Sequence, residues 1–109
     1  MNELLDRLIQ NLEQEKDIYK ELLEISEQKK QAIMDNKIKE LEKIVQTEQE
    51  HIACISGLEN KRQEIIDTIA AEKKLAPENI TISTLISWAP KETAHRLEVI
   101  KREFGQIIE

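Results

Sequence analysis

Apolar residues recur at steps of three and four along nearly the whole chain. Between Asn2 and about Ala32 they fall at Leu4, Leu5, Leu8, Ile9, Leu12, Ile18, Tyr19, Leu22, Leu23 and Ile25, then at Ala32 and Ile33. That spacing predicts an amphipathic helix. Asn2 is placed to cap its start, and Glu3 and Asp6 suit the positive end of a helix dipole. The stripe thins over residues 13–17 and 26–31, but neither stretch holds glycine or proline, so both read as narrow parts of one seam. Asp35 and Asn36 then punctuate the chain, and either can cap a following helix. A second run carries Ile38, Leu41, Ile44, Val45, Ile52, Ile55, Leu58, Ile65, Ile66 and Ile69, ending near Lys73 and Lys74, which suit the negative end of the dipole. The pattern therefore predicts long helices over residues 2–34 and 36–74, each about 50 Å long at ~1.5 Å per residue. Gly57 falls inside the second helix, where it marks either a close helix approach or a tolerated cost.

The connection between the two helices is too short for anything but antiparallel packing. Folding at Asp35 and Asn36 brings Ile33 near Ile38, Tyr19 near Ile52 and Leu5 near Ile66. A hairpin of two narrow stripes leaves Ile9, Leu23, Ile44 and Ile65 uncovered, so the last third of the chain or a partner must cover them. In that last third, Pro77 and Asn79 form a turn, and "NITI" is β-branched but has no sheet to join. Ser83 reads as the cap of a short helix, residues 83–88, stopped before Pro90. Pro90 opens a last helix, residues 90–108, with Ala94, Leu97, Ile100, Phe104, Ile107 and Ile108 on one face. The expectation is one all-α domain over residues 1–109: a long antiparallel, coiled-coil-like two-helix hairpin, then a short helix and a C-terminal amphipathic helix.

Composition agrees with this reading. Only 3% of residues are aromatic and 35% are charged, a mixture suited to long helices rather than to a mixed α/β domain. The net charge of −6, with lysines dispersed among glutamates, argues against nucleic-acid binding. Cys54 is the one cysteine, so no internal disulfide forms, and its apolar neighbours suggest a small core or near-core residue. The N-terminus lacks a basic region followed by an apolar block, and no apolar run approaches the ~20 residues of a membrane span. A cytoplasmic protein without membrane insertion is expected.

Candidate chemistry is sparse. Glu48 and His51 share a helix face and could hold a metal weakly, but no further ligands occur at matching spacing, so they read as a surface polar pair. No nucleophile elbow and no glycine-rich phosphate loop is present. Neither an enzyme nor a cofactor or metal is expected. Trp88 is the sole tryptophan and has two readings, a core anchor or a partner-facing anchor. The apolar face of the last helix likewise either packs on the hairpin or receives an amphipathic helix of another protein.

The segment "AIMDNKIKELEKIVQTEQEHIACISGLENKRQEII" resembles the corresponding part of the FlgN-like flagellar export chaperones. The matching positions are Asn36, Leu41, Glu48, Leu58, Glu59 and Arg62, followed by Thr84 and Leu85 in "TISTLISW". The order of elements matches along essentially the whole chain. Lys37 departs from the acidic residue usual in that family, and its members generally continue past the position of Glu109, as a short member or a truncated chain would not. The resemblance implies a cytoplasmic chaperone that keeps hook–filament junction proteins soluble before flagellar type III export. Its partners would be the C-terminal helices of those hook-associated proteins, with export-apparatus components also implied. The family's substrate contact is attributed to the C-terminal amphipathic helix, here Leu97, Ile100, Phe104 and Ile107, with Leu85 and Trp88 beside it. Without its cargo such a chaperone would be monomeric or a weak homodimer; the competing expectation is a structural or adaptor hairpin that homo-oligomerises through leftover apolar surface.

Overall fold

Leu4, Leu8, Asn11, Glu15, Ile18, Leu22, Ile25, Lys29 and Ala32 alternate steps of four and three, and every one of them is at least partly buried. On the second long segment Leu41, Ile44, Glu48, His51, Ile55, Leu58, Arg62, Ile65 and Ile69 keep the same alternation and the same burial. These are the facing seams of a two-helix coiled coil. In the computed structural model, which describes residues 2–108 and the side-chain surroundings of residues 3–105, they lie on α1 (Asn2–Met34) and α2 (Ile38–Lys73). A 3₁₀ turn (Pro77–Asn79), α3 (Ile82–Trp88) and α4 (Lys91–Ile108) follow, and no strand occurs among the described residues. The fold class is the one the hydrophobic pattern predicts: an antiparallel hairpin about 54 Å long carrying a short and a C-terminal helix.

The turn between α1 and α2 is made by backbone rather than by side-chain caps. Asn36 takes a left-handed φ of 55°, Asn36 N–H donates to the Ile33 carbonyl (3.2 Å), and Lys37 N–H donates to the Ala32 carbonyl (2.9 Å). This is a Schellman closure, for which asparagine is well suited. Neither Asp35 nor Asn36 caps α2. Lys37 occupies that position with no side-chain hydrogen bond, and Asp35 accepts from Gln31 instead. The end of α2 repeats the closure with Lys74 at φ 56° and Leu75 N–H bonded to the Ala70 carbonyl. The start of α3 also differs from the Ser83 expectation. Thr81, in extended backbone, accepts from Thr84 N–H at 3.1 Å, so the helix is capped two residues earlier. Pro90 precedes α4, its carbonyl accepting from Ala94 N–H. The proposed cap at Asn2 concerns a side chain outside the described residues.

Where the apolar stripe of α1 thins, the seam is polar and closed. Glu15 is fully buried; its carboxylate accepts from Asn11 Nδ2 (3.0 Å) and from Arg62 (2.7 Å). Asn11 also donates to the Leu58 carbonyl (2.8 Å), and the Tyr19 hydroxyl donates to Glu59 (3.0 Å). Tyr19 thus meets Glu59 rather than Ile52, which lies half exposed. Further along, Lys29 donates to Glu48, and His51 bonds Glu21 and the Thr47 carbonyl, so Glu48 and His51 are not partnered with each other. With two acceptors facing its two ring nitrogens, first the Thr47 carbonyl and then Glu21, the His51 imidazole has its pKa raised above the usual value. Burial pushes the Glu15 carboxyl above the usual carboxylate range, with Arg62 opposing the shift and Glu59 adding to it.

The main core sits at the open end of the hairpin. Leu5, Leu8, Ile9 and Leu12 of α1 meet Ile65, Ile69 and Ala70 of α2, with Ile80, Leu85, Leu97 and Ile100 from the last third of the chain. Of the four positions expected to lie uncovered, Ile9 and Ile65 are buried and Ile44 is partly buried in the seam, whereas Leu23, beyond the reach of the added helices, is half exposed. Cys54 is exposed, not core, because the neighbouring Ile55 and Leu58 take the inward positions of α2. Gly57 is also outward, and a Cβ there would meet nothing within 4 Å.

Gly57 is therefore a tolerated cost. Gly57→Ala is expected to stabilise the fold by about 1 kcal/mol in chemical denaturation. Arg62→Met should destabilise by about 2 kcal/mol near neutral pH, since it leaves Glu15 buried without its cation. A carboxyl whose folded pKa is raised favours the fold most below its unfolded value and loses that contribution as pH rises through the folded value. The Arg62→Met deficit should accordingly shrink between about pH 7 and pH 5, as measured by denaturant midpoints at both.

Candidate functional site

A second stripe runs along α1 beside the seam: Leu5, Ile9, Leu12, Lys16 and Tyr19. Here α4 lies, running parallel to α1, as its contacts in order show. Arg96 pairs with Glu13 (3.4 Å), Glu103 with Lys16 (2.8 Å) and Lys20 (3.7 Å), and Phe104 meets Tyr19 edge to face at 6.1 Å between ring centroids. Between these polar contacts Leu97 and Ile100 are inserted into the core, Leu97 at 0% exposure. The apolar face of α4 is thus covered by α1 and α3, with an ionic rim around it.

The residues singled out from the sequence are placed unevenly. Leu85, Leu97 and Ile100 are brought together in the core, closed to any partner while α4 stays docked. Trp88 and Phe104 are partly buried against the same cluster. Trp88 additionally carries the Lys73 ammonium 4.9 Å from its ring centroid, which ties α3 to the end of α2. The Ile107 side chain lies outside the described residues. Between α3 and α4 a shallow cavity of about 560 Å³ is lined by Ser83, Ile86, Glu98, Lys101, Arg102 and Gly105. No cluster of three or more metal-ligating side chains occurs among the described residues, and no helix of the described residues is long and apolar enough to cross a membrane.

The ionic rim escaped the sequence reading, although a signal for it exists. Lys16 and Tyr19 continue the step of four and three from Leu5, Ile9 and Leu12, so the second stripe is visible as a periodicity that turns polar halfway. The hydrogen bond from Lys16 holds the Glu103 carboxyl below the usual carboxylate range and, reciprocally, raises the Lys16 ammonium. The signs differ between the partners. Glu103, with a depressed folded pKa, supports docking above its unfolded value, and this is lost as pH falls through the folded one. Lys16, with a raised folded pKa, supports docking below its unfolded value, and this is lost as pH rises through the folded one.

Glu103→Gln is therefore expected to loosen α4 without unfolding the hairpin. Hydrogen exchange at fixed pH should show faster exchange of α4 amides than in the parent, with the buried stretch of α1 and α2 little changed. Equal protection of α4 in both proteins would show that the apolar face alone holds it.

A family model described as FlgN protein matches residues 1–109, the whole chain. Searches of curated proteins and of solved structures give no match.

Proposed function

Since the chain belongs to the FlgN family and is in general terms a flagellar export chaperone, we propose that it acts in the cytoplasm on hook–filament junction proteins, binding their C-terminal helices. In this reading the binding surface is the apolar face of α4, Leu97, Ile100, Phe104 and Ile107, with Leu85 and Trp88 of α3 at its edge. The observation that carries it is the seating of α4. The helix rests chiefly on α1 and α3, with Leu97 and Ile100 buried and a rim of ion pairs around them, from the largely covered Lys16–Glu103 to the half-exposed Arg96–Glu13.

Such a helix has a low-cost exchange available. Lifting α4 from α1 uncovers apolar surface on both, and an amphipathic cargo helix re-covers it, so burial is traded for burial. The half-exposed Arg96–Glu13 pair is worth little in water, which leaves Lys16–Glu103 as the main polar hold on α4. Without cargo the docked state keeps the sticky face covered; with cargo the same face sequesters the cargo's own apolar stripe and lowers its tendency to self-associate. Holding and release then need neither nucleotide nor a catalytic group. Delivery would follow when export-apparatus components outcompete one helix–helix contact.

Calorimetric titration with C-terminal helical segments of hook–filament junction proteins from the same organism tests this. Saturable one-to-one binding is expected, strongly weakened by Phe104→Asp. Phe104 is the better site for the charge because it is only partly buried, whereas a charge at Leu97 would unfold the core. No binding by a protein that retains its helical circular dichroism would overturn the cargo reading. A second reading, an adaptor hairpin that homo-oligomerises, draws on the exposed apolar side chains Leu23, Ile52 and Leu75. Light scattering separates the two, since the chaperone should stay a monomer or at most a weak dimer while the adaptor's mass grows further with concentration.

A further inference from the structure

The side of the hairpin that carries α4 continues uncovered past Phe104 towards the hairpin tip, the turn at Asn36. Tyr19, on which Phe104 rests, follows the seam residue Ile18 by one position, and Ser26 and Ile33 repeat that placement one and two heptads on. Across the seam Glu59, Ile52, Val45 and Ile38 form the matching heptad file of α2. The hydrogen bond from Tyr19 to Glu59 fixes the two files on one side, and the Tyr19–Phe104 contact fixes that side as the one α4 occupies. Beyond Tyr19 it holds Leu23, Ile33, Ile38 and Ile52, four of the six large apolar side chains exposed among the described residues, with Val45 partly buried between them.

What this side receives is shown by α4 itself. One amphipathic helix lies along α1 there, meeting it through Leu97, Ile100 and Phe104 at steps of three and four. The vacant stretch has room for the same shape. Ile38, Val45 and Ile52 are seven residues apart, about 10.5 Å at ~1.5 Å per residue, the repeat of a helix packed as the third member of a coiled coil. An extended segment, with same-face residues about 6.7 Å apart, falls out of step. From Tyr19 to Ile33 the stretch is about 21 Å long, enough for about four turns of helix. With Lys20 drawn to Glu103, the charges flanking it are Lys30 and Lys39 against Glu27 and Glu42, so apolar spacing rather than charge selects the occupant.

We propose that this stretch is a second helix seat, in line with α4, and that the cargo helix occupies it first. The inference rests on the cargo reading of α4 given above and adds where cargo makes its initial contact. The second seat is open while α4 is docked, whereas the face of α4 is closed. A cargo helix therefore lies on Leu23, Ile33, Ile38, Val45 and Ile52 before α4 lifts, and its end abuts Phe104, which is only partly buried. Advancing from there, it replaces α4 turn by turn, so that little of the Leu97 and Ile100 surface is bare at any moment. Lifting α4 unaided would expose all of that surface at once.

The test titrates a C-terminal helical segment of a hook–filament junction protein from the same organism into the full chain, labelled at the methyl groups of Ile, Leu and Val. Methyl shifts are expected at Leu23, Ile38, Val45 and Ile52 as well as at Leu97 and Ile100. Ile52→Ser, at an exposed position, should keep the parent's helical content and slow association about tenfold in stopped flow with a dye-labelled segment. Binding that shifts only Leu97 and Ile100, at the parent's rate in Ile52→Ser, would overturn the second seat and leave α4 as the cargo face. Shifts at the seat alone would uphold it and remove α4 from cargo binding. No shifts at millimolar segment would overturn both. So would, for the seat, a cargo-free dimer that Ile52→Ser abolishes, since a second copy would then be what covers it.

Discussion

Two helices in contact can each bury only one stripe, and this limit shapes the rest of the molecule. The seam of α1 against α2 leaves the second stripe of α1, Leu5, Ile9, Leu12 and Tyr19, with nothing to pack on. A hairpin of this length offers little interior, and few aromatic residues are available to enlarge it. The chain resolves the shortage at one end only. There α3 and α4 add Leu85, Leu97 and Ile100 and convert a two-helix contact into a core. The other end remains a bare coiled coil, and its exposed apolar side chains are the direct result.

The polar part of the seam complements this division. Apolar seams built of leucine and isoleucine tolerate sliding by a heptad, because each layer resembles the next. Glu15 cannot slide: it needs Arg62 and Asn11, and Asn11 needs the Leu58 carbonyl. A shift would leave a carboxylate buried without partners, a far larger loss than the correct pairing gains. Alignment of the two long helices, and hence the distance between the open-end core and the tip, follows from these few hydrogen bonds.

Much of the architecture was legible in the sequence because long periodic runs dominate it. Leu4 through Ala32 and Leu41 through Ile69 speak at the level of helix and seam, and the short connection at Asp35 and Asn36 leaves antiparallel packing as the one outcome. What resisted reading was chemistry decided by neighbours far along the chain. Glu15 looks like an interruption of the stripe until Arg62 is placed opposite it. Cys54 looks inward from its apolar neighbours, yet the alternation of Ile55 and Leu58 turns it outward. Caps were misplaced where backbone closure, as at Asn36, did the work of a side chain, and where Thr81 rather than Ser83 had the extended geometry an acceptor needs. For the candidate site, the apolar face of α4 was visible as a periodicity, but its occupation by α1 was not. Both faces have the same spacing, and only their relative position shows that they are spent on each other.

The open-end core joins Leu5 to Leu97, residues separated by almost the whole chain. During synthesis α1 and α2 can zip together as soon as both have emerged, since their contacts around the turn are close in sequence. The core cannot close then. It waits for α4, so until α4 has emerged the growing chain shows Leu5, Ile9 and Leu12 to its surroundings. The nascent chain thus passes through a stage in which its own apolar stripe needs cover, and acquires that cover only once α4 has been made.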